Sequence, residues 1–383
     1  VSGKSKVVIP GLVNTHTHAA MTLFRSYADD LALHPWLKEK IWPLEAKLTP
    51  EAVYWGSLLA CLEMMEAGVT TFADMYFFME QTARAVTESG LRADLSVGMA
   101  GVDAKAGQKA LEQGSLFVQE YQGMAEGRIN CRLGPHAPYT CPQPFIIKVL
   151  ETAQEINCGI HIHLAETKLE VAELVKETGL TPIEFYHEAL QKVGMVPSLA
   201  AHCVHVNDRD IDILAQDKIG VAHNPGSNLK LASGFAPLQA LLHRGVSVGL
   251  GTDGAASNNN LDILEEARLA ALIHKCTSGD PTAISANQAL RLATIEGAKV
   301  LDMDDQIGSL EVGKQADLVL LNEDSPHLYP KHDIVSRLIY SARASDVDMV
   351  LVAGKIVVQD GIAVTINRQE IMRQAQRIVE EIW

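Results

Sequence analysis

The sequence predicts an α/β protein: a TIM-type (β/α)8 barrel, a small β-sandwich domain after it, and a terminal helix. Three observations carry this. Short β-branched or apolar runs alternate with longer amphipathic stretches, a pattern of parallel strands joined by helical crossovers. Eight such runs are present. Histidine or an acid stands at the end of most of them, where a barrel of this kind gathers its functional groups.

The eight runs are residues 6–14, 68–75, 92–99, 129–134, 159–164, 199–206, 219–223 and 246–251. Between them, residues 49–67 open on Thr-Pro-Glu, a helix start, 144–157 carry apolar positions at helical spacing, and 168–193 read as a long, charge-laced helix. Eight strands with eight intervening segments fit a closed barrel better than an open doubly wound sheet, and no G-x-G-x-x-G follows the first strand. The barrel is assigned to residues 6–308. Residues 316–321 and 347–361 alternate in polarity and turn at Gly354-Lys355, so residues 309–367, with 1–5, form the small β-domain. Residues 368–383 read as the terminal helix.

Composition agrees with this size of fold. The 383 residues are 47% hydrophobic and 21% charged, the balance of a globular protein, and the length suits a barrel of ~250 residues with an appendage. Thirty-two Lys and Arg against 47 Asp and Glu leave a formal charge of −15, with no basic cluster, which argues against a nucleic-acid partner. The six cysteines lack a C-x-x-C pair and supply neither a zinc ribbon nor a disulfide framework. No secretory h-region opens the chain and no run of about 18 apolar residues occurs, so a cytoplasmic protein without a membrane partner is expected. A homo-oligomer is expected as well.

The strand ends carry the chemistry. Strand 1 ends in His16 and His18, strand 4 in His136, strand 5 in His163 with Glu166 beyond it, strand 6 in His202, strand 7 in His223 and strand 8 in Asp253. In Asn14-Thr15-His16-Thr17-His18 two imidazoles two residues apart in extended chain share a face and can reach one metal ion. With His163 and Asp253 they make three neutral imidazoles and a carboxylate, with room for water. That set suits one divalent ion, Zn2+ or Fe2+, between which ligand type does not choose; Zn2+ is the expected ion. Strand 4 offers no lysine to carbamylate, so one metal is expected rather than two. His161 faces the interior one layer below His163 and reads as a core or supporting histidine.

Val8-Ile9-Pro10-Gly11-Leu12-Val13-Asn14-Thr15-His16-Thr17-His18, His163-Leu164-Ala165-Glu166, Ala201-His202-Cys203 and Gly251-Thr252-Asp253-Gly254 resemble the amidohydrolase superfamily, in its mononuclear aminohydrolase branch. More narrowly, His223-Asn224-Pro225, Ser227-Asn228-Leu229-Lys230-Leu231 and Gly254-Ala255-Ala256-Ser257-Asn258-Asn259 resemble the 5′-methylthioadenosine/S-adenosylhomocysteine deaminases. The resemblance runs through Gly308-Ser309-Leu310-Glu311-Val312-Gly313-Lys314 to Ala316-Asp317-Leu318-Val319. It implies hydrolytic deamination at the 6-amino group of a purine nucleoside, giving the inosine derivative and ammonia.

The resemblance also implies roles. Glu166 is a proton shuttle that faces the substrate, His202 orients the attacking water, and Asp253 is both metal ligand and proton acceptor. Glu45 binds ribose hydroxyls, His136 makes another nucleoside contact, and Trp36 stacks on or covers the purine. His223 is read, apart from the resemblance, as supporting from beside the site, since a fourth imidazole would close the open position on the metal. In the third strand, Leu95-Ser96-Val97-Gly98-Met99 replaces arginines that some members use for the polar tail of S-adenosylhomocysteine, so methylthioadenosine is the favoured substrate. Relatives also add strands to the β-sandwich from a segment before the barrel, and these are expected to be missing here. Guanine or cytosine deaminase and triazine hydrolase are the competing enzyme readings. A catalytically silent barrel is a third, and the presence of all four ligands with Glu166 and His202 opposes it.

Overall fold

A computed structural model describes residues 3–382. Its strands in chain order are β1 (Lys6–Pro10), β2 (Leu12–Thr17), β3 (Val69–Tyr76), β4 (Arg92–Met99), β5 (Ile129–Pro135), β6 (Gly159–Leu164), β7 (Ser198–His202), β8 (Gly220–His223), β9 (Val248–Leu250), β10 (Leu318–Asn322), β11 (Val347–Val352), β12 (Lys355–Gln359) and β13 (Ile362–Ala363). Strands β2 to β9 lie side by side in chain order, all parallel, as the alternation of runs and crossovers demands. The two outer strands meet through side chain and loop. Asn14 exchanges two hydrogen bonds with Thr252, at 2.8 and 3.0 Å, and Asp253 N–H donates to the His16 carbonyl at 2.9 Å.

The second sheet is five-stranded and antiparallel, in the order β1-β10-β11-β12-β13. Residues 6–14 were expected to form one barrel strand, but Lys6–Pro10 pairs with Leu318–Asn322 in the small sheet and only Leu12–Thr17 enters the barrel. The chain changes sheet at Gly11, where a Cβ would overlap the Thr70 side chain. Arg92 and Asp317, both buried, join barrel and sheet by an ion pair at 3.1 Å.

Helices cover the barrel. Thr49 caps Pro50–Glu66 by accepting from Ala52 N–H at 3.1 Å, as the Thr-Pro-Glu signal predicts. The stretch 168–193 is two helices rather than one. Lys168–Thr178 ends at Gly179, in the left-handed region at φ 80°, and Thr181 caps Pro182–Val193. The expected terminal helix is Arg368–Ile382. The expectations for residues 1–5 and 368–383 extend to Val1, Ser2 and Trp383, which lie outside the described residues. All six cysteines are unpaired. Among the described residues, no helix is long and apolar enough to cross a membrane.

Candidate active site

At the carboxyl ends of the barrel strands the side chains of β2, β6, β7 and the loop after β9 converge. One ring nitrogen each of His16, His18 and His163 lies within 4.8 Å of the others, and His16, His202 and Asp253 form a second such group. His16 Nε2 and His18 Nε2 stand 3.4 and 3.3 Å from Asp253 Oδ1, and His163 Nε2 stands 3.4 Å from His18 Nε2.

The far side of each ring decides what the near side offers. His18 Nδ1–H donates to the Met75 carbonyl at 2.7 Å and His163 Nδ1–H to the His136 carbonyl at 2.8 Å, because a carbonyl only accepts. Their Nε2 atoms therefore turn lone pairs into the cluster. His16 contacts His161 through Nδ1 at 2.8 Å, and its Nε2 is buried without a hydrogen-bond partner. Burial pushes His16 down to about 4 and His163 well below the usual value, so both are neutral at pH 7. Lone pairs and a carboxylate oxygen facing one another without a proton between them repel unless a cation sits among them. The donor set fits a divalent metal ion held by His16, His18, His163 and Asp253.

Asp253 is fixed from behind. Ser227 and Ser257 both donate to its Oδ2, at 2.6 and 3.0 Å, and Gly254 N–H donates to Oδ1 at 2.7 Å. Beside it Gly251 has no room for a Cβ, which would overlap Asn224. His202 Nδ1–H donates to Asn228 Oδ1 at 2.9 Å, leaving Nε2 toward the cluster and 3.7 Å from Glu166 Oε2. The backbone is left-handed at Ala165, His202 and Asp253 (φ 54°, 74° and 61°), a cost of about 1–3 kcal/mol each that clusters at functional sites.

Glu166 is buried, and Ser233 Oγ donates to it at 3.4 Å. Burial, with the charge of Asp253 second, pushes it up to about 8. Its loop is held by Glu170, which accepts from the backbone N–H groups of Ala165, Glu166 and Thr167 at 3.1, 2.9 and 3.4 Å.

A cavity of about 350 Å³ opens above this cluster. Trp36, Glu45, His136, His163, Glu166, His202 and Asp253 all line it. Trp36 is pinned by its Nε1–H to the Ala28 carbonyl at 3.0 Å. His136 donates from Nδ1 to Thr140 Oγ1 at 2.9 Å, since that hydroxyl itself donates to Ala137, so its Nε2 offers the cavity a lone pair. Burial raises the pKa of Glu45, and the nearby Tyr76 hydroxyl opposes the rise without reaching hydrogen-bond geometry.

Glu45 arrives by an unusual route. A short turn at Leu33–Pro35 passes into a π-helical stretch, Trp36–Ile41, and then into Trp42–Glu45. Cavity-lining residues recur at a stride of four: Leu33, Leu37, Ile41, Glu45. In an α-helix of 3.6 residues per turn this stride drifts by roughly 40° a step; the wider π turn cancels the drift.

Several residues escaped the sequence reading. Tyr76 is buried, lines the cavity and has a hydroxyl without a hydrogen-bond partner. Glu170 and Ser233 hold Glu166 and its loop, and Ser227 and Ser257, present in the sequence reading only within motifs, hold Asp253. A Thr-x-x-Glu capping box at Thr167 was visible and would have flagged Glu170. His223 faces His274, Nε2 to Nε2 at 3.4 Å, and is not part of either metal-ligand group.

The fold and this cluster define a barrel hydrolase. The chain belongs to the amidohydrolase family, whose sequence profile matches residues 7–357. It is 51% identical over 377 residues to a 5-methylthioadenosine/S-adenosylhomocysteine deaminase of Pelotomaculum thermopropionicum, covering 98% of this chain and 86% of the relative. It is 49% identical over 385 residues to a 5′-deoxyadenosine deaminase of Methanosarcina mazei, covering 100% and 88%. Among solved structures, a zinc-bound adenosine deaminase from Xanthomonas campestris superposes with a TM-score of 0.92 at 35% identity, over 99% of this chain and 86% of that one.

Proposed function

We propose that this chain is a zinc-dependent hydrolytic deaminase of 5′-substituted adenosines, with 5′-methylthioadenosine preferred over S-adenosylhomocysteine. The observation that carries the reading is a largely apolar cavity whose polar groups, Glu45, His136 and Glu166, lead down to four converging ligand atoms. The names of the relatives support an adenosine substrate, and the apolar wall supports the small tail. No arginine or lysine lines the cavity among the described residues, so a homocysteine carboxylate would find no cationic partner there.

A bound dication lowers the pKa of its water from ~15.7 toward ~7 and so supplies hydroxide at neutral pH. The chain's residues do the rest. Glu166, protonated at neutral pH in its buried setting, gives a proton to the purine nitrogen beside the attacked carbon. His202, its Nδ1–H tied to Asn228, presents Nε2 to a water O–H and orients it toward that carbon. Asp253, held by Ser227 and Ser257, takes the proton released by water. Departing ammonia then collects the proton held by Asp253, and the hydroxyl on the attacked carbon returns its proton to Glu166 as the carbonyl forms. Glu45 accepts from ribose hydroxyls while Trp36 covers the base.

The test is ultraviolet absorbance of zinc-loaded protein with methylthioadenosine, S-adenosylhomocysteine, adenosine, guanine and cytosine, with Glu166→Ala as control. Conversion of methylthioadenosine ahead of S-adenosylhomocysteine, lost in the variant, is the expected result. Conversion of a free base alone would overturn the nucleoside reading, and equal kcat/KM for S-adenosylhomocysteine would overturn the preference.

A further inference from the structure

We infer that His161 sets the tautomer and orientation of His16 and is thereby a positioning residue of the metal site. The inference rests on reading the cluster as a metal site. It starts from a chain of three contacts running away from the cluster into the barrel. His16 Nδ1 lies 2.8 Å from His161 Nε2, His161 Nδ1 lies 3.3 Å from Ser96 Oγ, and Ser96 Oγ lies 2.9 Å from the Asp74 carbonyl. All four residues are buried, so no bulk water competes.

The far end fixes every proton in the chain. The Asp74 carbonyl can only accept, so Ser96 donates to it. The Ser96 oxygen is then free to accept from His161 Nδ1–H. His161 Nε2 consequently carries a lone pair, which accepts His16 Nδ1–H, and His16 Nε2 is left with its lone pair aimed into the cluster. That nitrogen has no other partner. A histidine that merely filled the core would owe its neighbours no such alignment.

His16 differs here from the other two ligand histidines. His18 and His163 are set by the backbone carbonyls of Met75 and His136, which no side-chain substitution removes. Only His16 depends on a side chain, and that side chain is fixed in turn by Ser96. Losing the outer partner of a ligand histidine typically weakens metal binding about 10–100-fold.

Two substitutions separate hydrogen bonding from packing. In His161→Gln the amide oxygen can take the place of Nε2 and accept from His16, whereas His161→Leu fills similar space and accepts nothing. The probe is zinc itself, titrated into metal-free protein against a chromophoric chelator, with visible absorption of the cobalt-loaded protein as a second readout. We expect His161→Leu to lose about 10–100-fold in zinc affinity, with an altered cobalt spectrum, and His161→Gln to stay near wild type. Wild-type affinity in a folded His161→Leu protein would overturn the inference, and so would equal losses in both variants. If His161→Leu does not fold, Ser96→Ala carries the test: weakened zinc binding supports the chain of contacts and unaltered binding refutes it. Wild-type protein that takes up no zinc would overturn the metal site, and this inference with it.

Discussion

Glu166 and Tyr76 show how burial turns ordinary side chains into specific ones. Glu166 sits beside Asp253 and away from bulk solvent, so its proton is retained to about pH 8, while the positive charge of a bound metal draws that value back toward neutrality. A group poised there can give a proton and take it back. Glu166→Gln keeps the shape and removes the proton; kcat should fall about 10²–10⁴-fold with zinc stoichiometry unchanged, measured by absorbance and metal analysis. A variant with near wild-type kcat would remove Glu166 from the mechanism. Tyr76 offers a buried hydroxyl with no hydrogen-bond partner next to Glu45. Tyr76→Phe should lower kcat/KM for ribonucleosides roughly 2–10-fold, the worth of one ordinary hydrogen bond, and leave the 2′- and 3′-deoxy analogue that lacks the contacted hydroxyl unaffected. Equal losses on every analogue would make Tyr76 a packing residue.

Elements place these side chains, and they differ in how far the sequence reveals them. Strand ends and the side chains that gather at them were legible because β2, β6 and the loop after β9 put polar residues where local alternation breaks. The sheet change at Gly11 was only half legible: Pro10-Gly11 breaks the apolar run, but Leu318–Asn322, which captures Lys6–Pro10, lies some three hundred residues away. The break at Gly179-Leu180-Thr181-Pro182 carried a stop and a start signal and was readable; the charge pattern on either side masked it. The π-helical stretch has no composition signal at all, since one extra residue in a turn looks like any other residue. Its role is nonetheless testable. Glu39 is exposed within that stretch, and inserting one alanine beside it turns everything downstream by about 100° and swings Glu45 off the cavity. KM for methylthioadenosine should rise at least 10-fold in the insertion while Glu39→Ala stays near wild type. An unchanged KM in the insertion would show that the phase of this stretch does not place Glu45.

For the molecule as a whole, the same burial makes stability depend on pH from both sides. His16, His136, His161, His163, His223 and His274 are all held below the usual histidine value, chiefly by burial, with His223 at about 3 and His16, His136 and His274 at about 4. The unfolded chain binds protons on these imidazoles as pH falls through about 6.5 and the fold does not, so stability drops on acidification. Glu166 and Glu266 are raised to about 8 and Glu170 to about 7. For these the fold holds protons that the unfolded chain has already released above about pH 4.5, so their stabilisation is full below that value and is lost as pH rises through about 7 to 8. Six imidazoles against these three carboxyls, with Asp74 raised only to about 6 and adding little there, balance near pH 6.5, by an order-of-magnitude count of protons bound in each state. Metal-free protein should therefore show its highest urea midpoint close to about pH 6.5, with lower midpoints at about pH 5 and about pH 9. Zinc should raise the whole curve, and raise it least at acid pH, where protons compete for the imidazoles. Glu266→Gln, away from the ligands, should flatten the alkaline side, because the amide has no proton to lose. A metal-free midpoint still climbing at pH 8 would mean that the three carboxyls are ionised in the fold.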